Sequence, residues 1–172
     1  STSLGTESTG LQASDIIFDN NSILFSGYTE NGVEDGIGGT NSQKGNKDVY
    51  LAKISKEGNF QWIKQYGVND HDKGINIAID KNDNIYVVGG VWGSLPNFPT
   101  GGNNYHRSGR LDGFLSKFYD NGTIQWSTQS ASAGYRNTWD KAKAVGIDTN
   151  NRVYVLMEKF KNNPNNQHGK LI

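Results

Sequence analysis

Apolar residues fall in short runs along this chain, separated by clusters of Gly, Asn, Asp and Lys. The clearest runs are Asp15–Phe18, Ile23–Tyr28, Val49–Ser55, Phe60–Tyr66, Ile75–Ile79 and Ile85–Val91. They continue with Gly113–Tyr119, Ile124–Gln129, Lys143–Ile147 and Val153–Met157. Each has the length of a strand and is bounded by turn formers. No window carries a convincing helical period, so helix content is expected to be close to nil.

The punctuation between runs predicts which of them pair. "GINIAIDKNDNIYVVGG" from Gly74 is matched by "AKAVGIDTNNRVYVLME" from Ala142, and more loosely by "SDIIFDNNSILFSGYT" from Ser14. In each, an apolar run meets an Asp-led turn at Asp80, Asp148 or Asp19 and a second run follows. An aspartate there can accept from backbone amides two residues on and close a hairpin turn. A second hairpin family is "DVYLAKISKEGNFQW" from Asp48 and "DGFLSKFYDNGTIQW" from Asp112, 64 positions later. Asp48 matches Asp112, Gly58 matches Gly122 and Trp62 matches Trp126. Asn121-Gly122 predicts a type I′ turn, whose two central residues both take positive φ.

Alternating the two hairpins gives a four-stranded antiparallel unit with strands A, B, C and D, repeated along the chain. Such a unit cannot bury both faces alone and must stack on its neighbours. The expected fold is all-β, a β-propeller of four-stranded antiparallel blades, with about two and a half blades present. The boundaries are about 11–67 for blade 1, 68–130 for blade 2 and 131–172 for a partial blade 3. A propeller closes with ~4–8 blades. The expectation is therefore a piece of a larger propeller, or a subunit that closes with copies of itself.

The order "D-[VG]-[YF]-L…G-x-[FI]-Q-W…D-K…I-D-x-N-x-x-[IV]-Y-V" resembles the bacterial β-propeller repeat of SBBP type, a seven-bladed β-propeller repeat family. The resemblance covers nearly the whole chain as two complete copies and one partial copy. It implies a propeller and says little about activity, because the fold hosts many functions. Repeat spacing is long for a propeller, and the excess sits in the B–C connections. Ala52, Gly58 and Trp62 also hold the spacing of the tryptophan-docking motif of quinoprotein dehydrogenases. Ile54 stands where that motif has an aspartate, so a structural role for Trp62 is implied and quinone chemistry is not.

Composition narrows the function more by exclusion than by direction. The 172 residues include 22 glycines, 34% hydrophobic residues and no cysteine, with formal net charge zero and a pI of about 6.8. The charge balance offers no footprint for nucleic acid. No apolar run approaches the roughly 20 residues that cross a bilayer. Lack of cysteine removes disulfides, thiolate metal sites and cysteine nucleophiles. The opening "STSLGTESTG" lacks the charged and apolar parts of a signal peptide, which leaves open both a signal already removed and one upstream of a fragment.

Strand order sorts the connections. A–B and C–D turns fall at one end of a blade and are tight; B–C and D–A connections fall at the other end and are long. Thr29–Lys47, Gly67–Lys73, Trp92–Leu111 and Ala131–Lys141 therefore share one face, the first place to seek binding residues. It gathers Trp92, Phe98, Tyr105, Tyr135 and Trp139 with Arg107, Arg110 and Arg136, residue types enriched at binding hot spots. The competing reading is that these aromatics fold inward and pin the loops.

Asp70 and Asp72 in "NDHDKG" alternate like ligands of a calcium loop, but the bidentate acid downstream is missing. Capping of loop amides is favoured for Asp72 and its repeat mate Asp140, so no metal or other cofactor is expected. His71, His106 and His168 lie in separate loops, and no serine elbow or acid–base carboxylate pair is recognisable. The leading expectation is a noncatalytic interaction or scaffold module of a bacterial secreted or cell-surface protein, meeting a protein partner or further propeller blades through its long-loop face. A glycan-binding module is the alternative, and a propeller enzyme with its site in absent blades the third.

Overall fold

Among the described residues, two alternating hairpin types build the two four-stranded sheets. The structure is a computed structural model that describes residues 10–19, 21–34, 40–41, 45–68, 70–93, 111–130, 138–161 and 170–171. In chain order the first strands are β1 (Gln12–Phe18), β2 (Ser22–Thr29), β3 (Val33–Glu34), β4 (Thr40–Asn41), β5 (Asp48–Ser55) and β6 (Phe60–Tyr66). Next come β7 (Lys73–Ile79), β8 (Ile85–Trp92), β9 (Leu111–Phe118) and β10 (Ile124–Gln129). The last are β11 (Thr138–Ile147), β12 (Val153–Lys161) and β13 (Lys170–Leu171). The sheets run β1-β2-β5-β6, β7-β8-β9-β10 and β11-β12-β13, with β3 and β4 as a separate hairpin. All strand pairs are antiparallel, and no helix occurs among the described residues. The three sheets are blades 1, 2 and 3 of a partial propeller.

The strands labelled A begin earlier than their apolar runs, at Gln12, Lys73 and Thr138. Backbone pairing continues into the polar stretch because a ladder needs only amides and carbonyls. In every A strand the register slips once, between Ala13 and Asp15, Gly74 and Asn76, and Ala142 and Ala144. This repeated bulge leaves Ser14, Ile75 and Lys143 unpaired. β9 is likewise shifted, starting at Leu111 and ending at Phe118.

Apart from the shorter A–B turn of blade 1, where Asp19 N donates to Ser22 O, the tight turns share one geometry, and it is not type I′. Tyr119 N donates to Thr123 O and Gly122 N donates to Tyr119 O; Ser55, Gly58 and Asn59 repeat this pattern. Positive φ occurs at Gly58 (85°) and Gly122 (78°) but not at Asn121. The loop is a type I turn closed by one left-handed residue, the common three-residue hairpin. The A–B turns use the same bonds, Asp80 N to Asn84 O and Asp83 N to Asp80 O, with Asp83 and Asn151 left-handed at φ 59°. Asp80 Oδ1 accepts from Asn82 N and Asn84 N, as Asp148 Oδ1 does from Asn150 N and Arg152 N.

Each sheet has a forward face, turned to the blade that follows, and a rear face. Leu24, Leu51 and Trp62 on the forward face of blade 1 pack on Ile77, Val87, Phe114 and Phe118 of blade 2. Tyr86, Val88 and Trp126 on the forward face of blade 2 pack with Ala142, Val145, Val153 and Val155 of blade 3. The two tryptophans thus occupy equivalent inter-blade positions. Both are half-buried rather than buried, because strand D is the edge of each four-stranded sheet.

Polar bonds fasten the same junctions. Asp15 Oδ2 accepts from Ile77 N at 3.0 Å, and Asn76 Oδ1 accepts from Val145 N at 2.8 Å. One strand A thereby supplies an acceptor to the amide that follows the bulge in the next. At the tight-turn end, buried Lys53 pairs with Asp120, and Lys81 Nζ donates to Thr149 O. The rear of blade 1 has a cover of its own. Val33 of β3 is buried against Tyr50, Ala52 and Ile63, joined by Leu11, Phe25 and Phe60. Part of the Thr29–Lys47 connection, expected to be free for a partner, is therefore folded down onto its own blade.

Candidate functional site

The face bearing the long connections is built on a buried carboxylate scaffold. Asp48 lies at the start of the C strand of blade 1 and Asp112 near the start of that of blade 2, and Gln65 and Gln129 on the D strands pair in register with Tyr50 and Phe114, two residues further along those C strands. Gln65 Nε2 donates to Asp48 Oδ2 at 2.8 Å and to Asn31 O at 3.2 Å. Gln129 Nε2 donates to Asp112 Oδ2 at 2.9 Å and to Gly93 O at 2.7 Å. Each glutamine thus ties the start of a B–C connection to the strand that ends it. The repeat reading passed over both glutamines. Their signal was present, since Trp-x-x-Gln recurs as Trp62 to Gln65 and Trp126 to Gln129.

Asp72 fixes the D–A crossover. Its carboxylate accepts from Val68 N at 2.5 Å and from Trp92 N at 3.1 Å, closing the crossover and anchoring the end of β8. This is the capping role favoured for it. Burial pushes its carboxyl up to about 7 against the pull of those two amides, and the neighbouring charges of Asp48 and Asp70 raise it further. Gly67 is required where these acids converge: a Cβ there would lie 2.4 Å from Asp48 Oδ1 and 2.6 Å from Asp72 Oδ2. Burial also holds the Tyr66 phenol far above its usual range, with Asp72 adding to the effect.

Asp70 does something different. Its carbonyl accepts from Asn46 N and Lys47 N, and its exposed carboxylate lies 4.0 Å from His71 Nε2. The two calcium candidates therefore serve separate partners. Among the described residues no group of three or more His, Cys, Asp or Glu is placed to hold a metal ion.

Around this scaffold lies an aromatic and cationic cluster at the junction of blades 1 and 2. Lys47 bridges His71 in parallel register and accepts from Asp72 N at 2.8 Å, lacing the B–C loop of blade 1 to the crossover. The His71 and Trp92 rings meet edge-on, with centroids 6.4 Å apart. The Tyr28 ring is approached by two ammonium groups, Lys47 Nζ at 4.7 Å and Lys73 Nζ at 4.8 Å, a favourable cation–π arrangement. Lys47 also pairs with Glu30 at 2.7 Å, which holds the Glu30 carboxyl below its ordinary range.

Of the residues nominated for binding, Trp92 is half-buried at this junction, with its ring edge on His71. The backbone of Trp139 is in β11, and its side chain lies outside the described residues. Tyr105, Arg107, Arg110, Tyr135 and Arg136 all lie outside the described residues, as do Phe98, His106 and His168. Tyr28, Lys47 and Lys73 were missed, because they come from three segments that only the fold brings together. On the opposite face the exposed turn residue Lys81 bonds to the neighbouring blade through Nζ, and its amide donates to Asn151 Oδ1.

A search of curated proteins finds no match to the chain. Residues 61–93 match the sequence model of the beta-propeller repeat named SBBP. The matched stretch runs from strand D of blade 1 through strands A and B of blade 2, across the crossover clasped by Asp72. Residues 61–93 carry the SBBP beta-propeller repeat, the family that the sequence resembles.

Proposed function

We propose that the chain is a noncatalytic interaction module of a bacterial secreted or cell-surface protein, and that it meets a protein partner through its long-loop face. The supporting observation is the division of labour between the two ends of the blades. At the tight-turn end the turns are short, and Lys53 and Lys81 are engaged in bonds to the next blade. At the other end, Tyr28, Lys47, His71, Lys73 and Trp92 gather on a scaffold already closed by Asp48, Gln65 and Asp72. Aromatic and cationic groups held rigidly in this way suit recognition of another protein. Loops on a rigid framework are where recognition is usually placed.

The test places a photo-crosslinking residue at Asp70 on the long-loop face and, in a second variant, at Asn121 on the tight-turn face. Asp70 is partly exposed on the D–A crossover, and Asn121 is exposed in the C–D turn of blade 2. The proposal expects a discrete protein adduct from position 70 only. Adducts from position 121 alone would overturn it. A glycan-array signal that disappears in Trp92→Ala, without any protein adduct, would move the assignment to a lectin-like module.

A further inference from the structure

We propose that the forward face of blade 3 docks the rear edge of blade 1 of a second copy of the chain, head to tail. The chain contains the blade junction twice, and both halves of a third junction stand exposed at opposite ends of the stack. Tyr154 and Leu156 of β12 are 56% and 38% exposed, whereas their repeat mates Tyr86 and Val88 are 5% and 0% exposed under blade 3. Ile16 of β1 is 46% exposed and Phe18 is 68% exposed, whereas Ile77, the repeat mate of Ile16, is 4% exposed under blade 1. The inner strand of each following blade makes the approach: β7 lies on β1 and β2, and β11 lies on β7, β8 and β9. By the same rule β1 of a second copy lies on β11 and β12. The Val33 cover sits over Tyr50 and Ile63 on the outer strands and leaves Ile16 and Phe18 open.

A hydrogen bond selects blade 1 as the occupant rather than any other blade. Within the chain the amide after each strand-A bulge is satisfied from the blade before it, Ile77 N by Asp15 and Val145 N by Asn76. The residue of blade 3 equivalent to Asp15 and Asn76 is Ala144, which has no acceptor to offer. An ordinary following blade would bury that amide without a partner, a cost of about 1–3 kcal/mol. Blade 1 does not incur it. The equivalent amide, Ile16 N, is bonded by its own Asp15 through Oδ1 at 2.9 Å, while Oδ2 of the same carboxylate serves Ile77. The junction that lacks an acceptor side chain thus faces the A strand which, among the three described, satisfies this amide from its own aspartate. Such a contact is heterologous, so it closes a ring or extends a chain of copies.

Light scattering coupled to size-exclusion chromatography on chain 1–172 tests this. The expected mass is twice the 18.9 kDa of the chain, falling toward one chain on dilution. Phe18→Glu and Leu156→Glu alter exposed side chains, so each should retain the parent far-UV circular dichroism and elute with the mass of one chain. An equimolar mixture of the two variants should recover the doubled mass, because one intact junction forms between a Leu156 face and a Phe18 face. A monomeric parent chain overturns the proposal. So does doubled mass that survives either variant, or a mixture that stays monomeric.

Discussion

Asp72 makes the stability of this fold depend on pH in the direction opposite to that of an ordinary carboxylate. The group is almost fully buried beside Asp48, Asp70 and Tyr66, and its folded-state pKa of about 7 lies far above the ordinary aspartate value of 3.8. The folded state therefore holds a proton that the unfolded chain has already released. Between these two values the folded form binds more protons, so stability falls as pH rises and levels off above about 7. At about 1.4 kcal/mol per pH unit across the steep part, acidification from roughly pH 8 to 5.5 should stabilise the fold by about 2 kcal/mol. For a chain of this length that is a rise in Tm of roughly 4–8 °C. Asp80 and Asp148 are shifted the other way, held below their ordinary range by amide bonds. The stability they contribute is present above about 4 and is lost below it, outside the tested window. The assay is thermal melting at fixed protein concentration in constant-ionic-strength buffers, with Asp72→Asn alongside. Asparagine keeps one acceptor for Val68 N or Trp92 N and cannot ionise. Its Tm should be flat from pH 5.5 to 8 and should exceed the parent value at pH 8. A parent Tm that rises with pH over this range, or a slope that persists in Asp72→Asn, would refute the reasoning.

Two further outcomes follow from the packing. Gly89→Ala would place a Cβ 1.9 Å from Lys73 O, a backbone atom that cannot step aside, so denaturant melts should show a loss of at least about 2–3 kcal/mol; a loss under 1 kcal/mol would mean that β7 and β8 are less closely apposed. Tyr86→Phe and Tyr154→Phe delete the same bond in two settings, since each hydroxyl donates to its turn aspartate at 3.1 Å, one buried and one exposed. Urea melts under dissociating conditions should show a cost of about 1 kcal/mol at Tyr86 and almost none at Tyr154, and equal costs would contradict the inter-blade burial.

Sequence periodicity carried far because a propeller is a local repeat. Each hairpin is closed by residues a few positions apart, such as Asp80 with Asn84 and Gly122 with Tyr119, so turn residues and apolar runs determine blade order without any long-range information. The same locality made strands A through D and the loop-bearing face legible. It failed on the turn class at Asn121-Gly122. A dipeptide cannot tell a two-residue loop from a type I turn closed by one left-handed residue, and the bonds among Tyr119, Gly122 and Thr123 show the latter.

What only the tertiary structure decided is everything that joins segments distant along the chain. The Tyr28, Lys47 and Lys73 cluster assembles from three loops and strands, and no spacing rule links them. Val33 was one apolar residue in a polar connection, and only its burial on Tyr50 and Ile63 shows that part of this loop is a cover. Lys81 occupied a turn like any solvated lysine until the next blade brought Thr149 within reach. Sequence determines which groups a strand carries on each face. Whether a face meets water or another blade depends on what the stack places beside it, and that difference separates Tyr86 from Tyr154 despite similar local sequences.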